Sequence, residues 1–295
     1  MSSNDCFAVP GTSSQSSEPE HPAAPTLPSI AFEMVEGPGP DQRWSTWSSV
    51  VKGAHGPGPL PDWVVTSDAA LDTELGVLKS GKEADVHLIE RAVPQGASCV
   101  LAAKRYRDRE HRNFHRDAGY LEGRVARRSR DQRAMSNRTK YGLQVLAGQW
   151  AMAEFTALSD LWSRGVVVPY PVQVDGTEVL MEFIGSGRVA APRLAQQRPD
   201  RSELSDYFDQ IMHAMQLLAM QGQAHGDLSA YNVLVRDGQL VLIDLPQVVD
   251  IVANPHGLDF LERDCRNICS WFAARGLERD PAELLGLLAA IAFGR

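Results

Sequence analysis

Several features that define common classes of protein are missing from this sequence. It has four cysteines in 295 residues, and their positions do not show the spacing of a disulfide framework. Its longest apolar run, residues 284–293, is too short to cross a bilayer and is interrupted by Gly286. The N-terminus has no basic segment followed by an apolar core, so no secretory signal is expected. We therefore expect a protein of the reducing cytoplasm, without a membrane partner.

The common motifs for phosphate binding are missing as well. The sequence has no Gly-x-x-x-x-Gly-Lys followed by Ser or Thr, which excludes a Walker loop. It also has no Gly-x-Gly-x-x-Gly, the glycine-rich loop found in many nucleotide-binding proteins. If this protein binds a nucleotide, a different set of residues must hold the phosphates.

Acidic residues exceed basic residues overall, but one segment reverses this balance. The formal net charge is −8, with 29 Lys and Arg against 37 Asp and Glu. Residues 105–140 hold twelve Lys and Arg against five Asp and Glu. An arginine-rich loop is suited to bind the phosphates of a nucleotide or of RNA. A solvated loop explains the same composition, and the residues alone do not decide between these alternatives.

The first 60 residues differ in composition from the rest of the chain. They are rich in Ser, Pro and Gly, and Gly-Pro-Gly-Pro occurs twice, at 37–40 and 56–59. Such a segment buries too little apolar surface to offset the entropy lost on ordering. We therefore predict that residues 1–60 are largely disordered, although Trp44 and Trp47 are candidates for packing on the domain that follows.

One short segment in the second half of the chain carries the most chemical information. It reads HGDLSAYN from His225 to Asn232, and Asp244 follows twelve positions later at the end of an apolar run. The residues in between predict a β-hairpin, which would return Asp244 to the loop that carries Asp227 and Asn232. Each piece alone is more often a plain loop or a strand end. Together they predict three oxygen-bearing side chains that converge where a magnesium-bound nucleotide can sit.

Upstream segments supply a candidate phosphate-binding region. Residues 75–89 read as strand, tight polar turn and strand, and Ser80 and Lys82 offer donors beside Gly81. A plain hairpin turn explains these residues equally well. The next apolar strand ends in Lys104, a position from which an ammonium group can reach the α- and β-phosphates of a nucleotide.

Lys104 needs an anionic partner to fix its position, and Glu154 is the candidate. Glu154 lies in a segment whose apolar residues have roughly helical spacing, with Gly165 as a suitable stop. A solvated helix face is the alternative environment for this glutamate. Further along, Asp200 with Glu203 and Asp280 with Pro281 predict the starts of two more helices. We expect the last helix to bury an apolar stripe made of Leu284, Leu287, Leu288 and Ile291.

Taken in order, these segments resemble the RIO family of atypical protein kinases, and most of all its type 1 branch. The resemblance covers about residues 75–270. Its most specific motifs are the Ser-x-Tyr-Asn ending at 229–232 and the Arg-Asp-Cys-x-Asn-Ile segment at 263–268. The other matching segments are 80–86, the Lys104 strand, 150–154, 181–185, 225–228 and 243–247.

The resemblance implies an α+β, bilobal protein-kinase-like fold. A small β-rich N-lobe would occupy residues 61–184 and carry a basic flexible insertion at 105–140, and a mostly helical C-lobe would occupy residues 185–295. The family lacks the usual activation loop and peptide-docking subdomains. This chain agrees, because it contains neither Asp-Phe-Gly nor Ala-Pro-Glu.

The resemblance also implies roles for individual residues. Lys104 would hold phosphates of ATP and pair with Glu154, while Asp227 would act as the catalytic base. Asn232 and Asp244 would bind Mg²⁺, and Asp244 is also a candidate acyl-phosphate site because this aspartate can become phosphorylated in RIO proteins. The remaining nucleotide contacts would come from the phosphate turn and the adenine hinge: Ser80, Lys82, Met181, Glu182 and Ile184.

Two departures from the family pattern lie close to these residues. Ala230 stands where the family usually has Glu, and Leu245-Pro246 replaces the usual Val-Ser after the metal-binding aspartate. Pro246 removes one backbone donor near the metal. Every residue implied to contact phosphate or metal is present, so we expect an active enzyme.

We therefore expect a RIO-type, ATP-dependent serine/threonine kinase or ATPase that acts on a protein or on itself. By analogy with the family, segment 105–140 would contact RNA or a ribosomal particle. Two other functions fit part of the pattern. One is a small-molecule phosphotransferase of the aminoglycoside or choline type, although the short chain after Asp244 leaves little room for its acidic pocket. The other is a non-catalytic, ATP-gated protein that binds ribosomes.

Overall fold

The computed structural model of this chain describes residues 37–107, 140–245 and 248–294. Within these ranges, no helix is both long enough and apolar enough to cross a membrane. The N-terminal part is dominated by a curled antiparallel sheet and the C-terminal part by helices. The domain boundaries at residues 60/61 and 184/185 remain predictions.

Six strands form the sheet of the N-terminal part, in the spatial order β1-β2-β3-β4-β6-β5. All neighbouring strands are antiparallel. The predicted strand, polar turn and strand at 75–89 are confirmed, and the turn joins β2 to β3. β2 is irregular near Gly76, whose φ of +119° is a conformation that glycine adopts without strain. The strands are β1 Gln42–Trp44, β2 Leu71–Ser80, β3 Ala84–Ala92, β4 Ser98–Tyr106, β5 Pro171–Asp175 and β6 Glu178–Glu182.

Four helices are described, and three of their ends follow the signals expected from the sequence. Asp200 caps the second helix through a capping box with Glu203, and Asp280 caps the fourth. Gly165 adopts a φ of +80° shortly after the first helix ends, as a stop residue should. One expectation was wrong: Leu287 is 44% exposed, whereas Leu284 and Leu288 are buried. The helices are α1 Lys140–Ser163, α2 Arg201–Ala219, α3 Gly257–Ala273 and α4 Pro281–Phe293.

Short strands and turns connect the helices and build the loops of the C-terminal part. The predicted hairpin is present, with β10 and β11 paired from Val233↔Leu242 to Arg236↔Gln239. β9 pairs with β12, and β7, which follows the sheet in sequence, pairs with β8. The short strands are β7 Gly185–Ser186, β8 Val189–Ala190, β9 Gln223–Ala224, β10 Val233–Arg236, β11 Gln239–Leu242 and β12 Val249–Asp250; 3₁₀ turns occupy Trp47–Ser49, Leu194–Gln196 and Ala230–Asn232.

Part of the segment that we predicted to be disordered is structured. β1 pairs with β2 at one edge of the sheet. The backbone of Ala54 and Gly56 then bonds to β5 at the other edge, through Val174 N to Ala54 O (2.9 Å) and Gly56 N to Val172 O (3.0 Å). Composition did not indicate this order, because it does not register backbone contacts with both sheet edges. Residues 1–36 lie outside the described residues.

Two buried apolar clusters stabilise the described fold. The larger one joins the C-terminal helices to the inner face of α1, and it includes an apolar stripe of α2 made of Leu204, Phe208, Ile211, Met215 and Leu218. The smaller one lies between the sheet and the preceding chain, where Trp47 and Val64 pack against its edge. The buried members of the smaller cluster are Val65, Ala70, Ile89, Cys99, Leu101, Ala103, Tyr170, Val172 and Leu180.

Candidate active site

Lys104 and Glu154 meet where the sheet packs against α1. The Lys104 Nζ lies 2.6 Å from Glu154 Oε1, and the side chains are only 12% and 2% exposed. Glu154 falls among the residues of α1 that are buried against the sheet, so its carboxylate faces β4 rather than solvent. The alternative of a solvated helix face is therefore wrong for this residue.

Tyr106 binds the other oxygen of the same carboxylate. Side chains two positions apart on a strand point to the same face, so Tyr106 follows Lys104 toward α1. The Tyr106 hydroxyl donates to Glu154 Oε2 at 2.5 Å. The tyrosine is 7% exposed, and the Lys104 Nζ lies 5.4 Å from the centre of its ring. Sequence reasoning did not assign a role to this tyrosine.

Asp244 reaches Lys104 from the C-terminal part of the chain. Its Oδ1 lies 2.8 Å from the Lys104 Nζ, and its side chain is 40% exposed. Asp244 adopts a φ of +67° directly after the hairpin, a left-handed conformation that aspartate tolerates better than most residues. Such backbone strain is common at functional sites. The Lys104 ammonium thus links Glu154 and Asp244, which lie 50 and 140 positions further along the chain.

The charges of this cluster stabilise one another. Burial alone would lower the pKa of Lys104, but the attraction of Glu154 and Asp244 outweighs it and raises that pKa. Burial pulls the pKa of Asp244 upward, yet the Lys104 ammonium holds it below its ordinary value. Burial and the neighbouring Glu154 raise the pKa of Tyr106 well above its usual range. At neutral pH these groups are therefore a cation, an anion and a protonated phenol.

Asp227 and Asn232 lie together on the loop before the hairpin. Gly226, with a φ of +83°, makes the turn that presents the exposed Asp227 carboxylate. The Asn232 Nδ2 donates to the Asp227 backbone oxygen at 2.9 Å and lies 3.5 Å from its Oδ2. The Ile243 N–H bonds to the Asn232 carbonyl oxygen at 3.0 Å, so the residue next to Asp244 is held against this loop. The predicted hairpin therefore brings Asp227, Asn232 and Asp244 to one side of the fold.

Helix α3 holds the backbone on both sides of Asp227. The Asp264 carboxylate accepts from Gly226 N at 2.8 Å and from Leu228 N at 2.7 Å. Asn267 donates to the Leu228 oxygen at 3.1 Å, and Arg263 donates to the Gly226 oxygen. We had noted the 263–268 motif without giving its residues a role. The sequence signal that could have indicated this role is the position of Asp264, a charged residue on the apolar face of the helix with Leu261, Cys265 and Ile268.

This arrangement agrees with what comparisons with known proteins show. A family model described as RIO domain matches residues 100–284. The chain belongs to the RIO domain family. It is 33% identical over 220 residues to the RIO-type serine/threonine-protein kinase Rio1 of Haloferax volcanii, covering 75% of this chain and 70% of that protein. It is 31% identical over 157 residues to the serine/threonine-protein kinase RIO1 of Saccharomyces cerevisiae, covering 52% of this chain and 32% of that protein.

A mouse protein and a fungal crystal structure are also similar to this chain. The serine/threonine-protein kinase RIO3 of Mus musculus is 35% identical over 140 residues, covering 47% of this chain but only 27% of that protein. The chain thus spans about a third or less of these two eukaryotic relatives. A crystal structure described as the Rio2 kinase–ADP/Mg²⁺–phosphoaspartate complex of Chaetomium thermophilum superposes with a TM-score of 0.52 at 22% identity, covering 75% of this chain and 67% of that chain. The expected α+β, kinase-like fold is therefore confirmed.

The predicted phosphate turn of the RIO domain has internal partners. The Ser80 hydroxyl donates to Asp85 Oδ1 at 2.6 Å and accepts from Arg107 at 2.7 Å. Lys82 is exposed on the turn between β2 and β3. In the part of the chain that the structure describes, no hydrogen bond or ion pair joins Ser80 or Lys82 to Lys104. Contact of these two residues with a nucleotide remains a prediction.

The predicted adenine hinge comprises the last two residues of β6 and the chain just after it. Met181 is half-buried and Ile184 is buried. The Glu182 side chain accepts from Arg236 on β10 at 2.7 Å and from the Tyr170 backbone N–H at 3.2 Å. The hinge is thus tied to the hairpin that leads to Asp244. Its role in adenine binding remains a prediction.

Two expectations fall wholly or largely outside the described residues. Only Arg105 to Arg107 and the start of α1 are described within the basic segment 105–140, so its binding role is untested. Pro246 and Gln247 are likewise outside. Ala230, the other departure from the RIO pattern, is buried in a 3₁₀ turn.

Proposed function

We propose that this chain is an ATP-dependent serine/threonine kinase or ATPase of the RIO type, which transfers the γ-phosphoryl group of Mg–ATP to a protein or to itself. The relatives that define its family are named as serine/threonine-protein kinases. The observation that carries the proposal is the position of Lys104, whose ammonium bonds to Glu154 on one side and Asp244 on the other. A cation held in this way can bind phosphate oxygens while the carboxylates keep it charged.

The side chains around Lys104 fit a magnesium nucleotide. Mg²⁺ prefers oxygen ligands, and the Asp244 carboxylate and the amide oxygen of Asn232 would supply them. When bound, Mg²⁺ neutralises charge on the phosphates and supports their transfer. Lys104 would hold the α- and β-phosphates, with Ser80, Lys82 and the hinge completing the nucleotide contacts.

Asp227 would orient and deprotonate the acceptor hydroxyl. Its carboxylate is exposed, so an incoming side chain can reach it. Its backbone is nevertheless fixed on both sides by α3 and from within the loop by Asn232. A mobile carboxylate would lose much of its effect, because the contribution of a general base depends on its position. The loop therefore combines an accessible reactive group with a rigid support.

Phosphoryl transfer from labelled ATP tests these roles. We expect Lys104→Ala and Asp227→Ala each to lower the initial rate by about 10²-fold or more, in line with the usual effect of losing a catalytic acid–base group or an electrostatic contact. The matched controls are Lys52→Ala and Asp209→Ala, which remove exposed charges elsewhere and should keep the wild-type rate. Wild-type turnover in either site variant would remove the role assigned to that residue.

The same experiment distinguishes the possible products. Label on the chain that hydroxylamine releases would identify an acyl-phosphate and favour ATP turnover as the main activity. Label on serine or threonine that is stable in acid and resists hydroxylamine would favour protein kinase activity. Transfer to aminoglycosides or amino alcohols, with no label on protein, would favour a small-molecule phosphotransferase instead.

We keep RNA or ribosome contact through segment 105–140 as a proposal supported by its arginine content. Co-sedimentation with ribosomal subunits that weakens with added salt would support it. Co-sedimentation that persists in Asp227→Ala without any phosphoryl transfer would favour an ATP-gated binding protein. We also propose a cytoplasmic location, supported by the three described cysteines, which are free and buried. Cell fractionation tests it.

A further inference from the structure

Tyr106 completes the hydrogen bonding of a carboxylate that the mechanism uses. Glu154 Oε1 receives the Lys104 ammonium at 2.6 Å, and Glu154 Oε2 receives the Tyr106 hydroxyl at 2.5 Å. Both donors come from the same face of β4, and the acceptor is 2% exposed. Two donors on one rigid strand therefore fix the rotation of this carboxylate, which one donor alone would leave free.

We propose that Tyr106 is a positioning residue for phosphate binding, which acts by holding Glu154 so that Lys104 points into the cleft. The inference rests on the proposed function, because it assumes that Lys104 binds nucleotide phosphates. It adds a residue that lies behind the site and would not touch the nucleotide itself.

The physical reason is competition for the lysine ammonium. A buried carboxylate oxygen without a donor is costly, so Glu154 would seek another donor if the hydroxyl were removed. The Lys104 Nζ is the donor already in contact with this carboxylate. Without Tyr106, the ammonium would be shared between both Glu154 oxygens and drawn toward α1. It would then be less available to Asp244 and to a phosphate.

The surroundings keep the Tyr106 hydroxyl in its donor form. Burial and the adjacent Glu154 raise the pKa of Tyr106 well above its usual range, with smaller contributions from Asp244 and Glu83. The phenol therefore keeps its proton across the neutral range. The Lys104 ammonium lies 5.4 Å from the ring centre of Tyr106 and bonds to the same carboxylate of Glu154.

Nucleotide binding to Tyr106→Phe tests the proposal. The probes are Mg–ATP, Mg–ADP and adenosine, with affinities measured by calorimetry on the full chain. We expect Tyr106→Phe to weaken ATP and ADP about tenfold, the order of one lost hydrogen bond to a charged group, and to leave adenosine unchanged. The control is Tyr170→Phe, which removes another buried hydroxyl, bonded to the Pro57 oxygen at 3.0 Å, and should leave all three affinities unchanged.

A double-mutant cycle separates positioning from a general effect on the fold. If Tyr106 acts through Lys104, then Tyr106→Phe adds no further loss of ATP affinity in a Lys104→Ala background. Losses that add, or equal weakening of adenosine, overturn the proposal while leaving the proposed function intact. If Tyr106→Phe does not fold, Glu154→Gln tests the same link and should weaken ATP and ADP selectively. A folded wild-type chain that binds no Mg–ATP overturns the proposed function, and the role of Tyr106 with it.

Discussion

Asp264 is a charged residue on the buried face of a helix, and its hydrogen bonds explain why it is there. Its carboxylate is 1% exposed and receives two backbone N–H groups from the loop that carries Asp227. Burial raises the pKa of Asp264, although the two N–H donors and the nearby Arg263 guanidinium partly offset that effect. The loop depends on this carboxylate because its N–H groups are buried and need an acceptor.

Replacing Asp264 by asparagine should therefore weaken both the fold and the activity. The asparagine side chain has only one acceptor oxygen. Its NH₂ group would therefore face one of the two backbone N–H groups, which would lose its hydrogen bond. We expect Asp264→Asn to lower the free energy of unfolding by about 1–3 kcal/mol and to reduce phosphoryl transfer more than nucleotide binding. Urea unfolding and the labelled-ATP assay measure the two effects.

Asp259→Asn is the matched control on the same helix, because the Asp259 side chain is 77% exposed. Among the ion pairs that the structure describes, Asp259 takes part only in the one with His256. We expect this control to change stability by less than about 0.5 kcal/mol. Equal behaviour of the two variants would show that the loop does not rely on Asp264.

The turn between β2 and β3 is flanked by an ion pair between Asp85, at the start of β3, and Arg107, the residue after β4. Arg107 donates to both carboxylate oxygens of Asp85, with Arg107 Nε at 2.6 Å from Oδ2, and also to the Ser80 hydroxyl. These hydrogen bonds lower the pKa of Asp85 to about 2. The bonds from Arg107 have the larger effect and the bond from Ser80 the smaller one. The turn that we expected to bind phosphate is therefore ordered by its own side chains.

This pair predicts a defined response to acid. The folded-state pKa of Asp85 is depressed, so its stabilising contribution is present above its unfolded value of about 3.9 and is lost as pH falls toward 2. Asp85→Asn lacks the titrating group. The difference in unfolding free energy between wild type and Asp85→Asn should therefore shrink from pH 5 to pH 3, measured by urea unfolding. A difference that stays constant with pH would contradict this assignment.

The chain before β2 forms hydrogen bonds with both edges of the sheet. It adds β1 to one edge and residues 54–56 to the other. Between them, Thr46 bonds to Gln173 at 2.8 Å, and Gln173 bonds to the fully buried Arg91 at 2.8 Å. Because β4 and β6 lie inside this closed arrangement, the chain before β2 also supports the strands that carry Lys104 and the hinge.

Gly56 is a position at which even a small side chain would disturb this arrangement. A Cβ on Gly56 would lie 1.9 Å from the Pro171 oxygen, so the segment would have to move away from β5. We expect Gly56→Ala to lower the free energy of unfolding by about 1–3 kcal/mol, measured by urea unfolding. Gly286→Ala is the control, because a Cβ there meets no atom within 4 Å and alanine favours a helix. A neutral Gly56→Ala would show that these edge contacts contribute little.

Local patterns in the sequence determined much of this protein. Strand alternation and turn residues predicted the β2–β3 pair and the hairpin that returns Asp244 to the loop. Capping residues predicted the starts of α2 and α4. These features are local, since neighbouring residues decide whether a turn or a helix end is satisfied. The order of the motifs was also enough to indicate the RIO family.

Only the tertiary structure decided which distant groups share a hydrogen bond. The partner of Lys104 lies 50 positions away on a helix that could equally have faced solvent, and Tyr106 has a role only because the same carboxylate reaches it. The pairing of residues 54–56 with β5 involves backbone atoms, which carry no signature in composition. Side-chain chemistry states what a residue can bind, but packing brings the partner within reach, and packing depends on the whole fold at once.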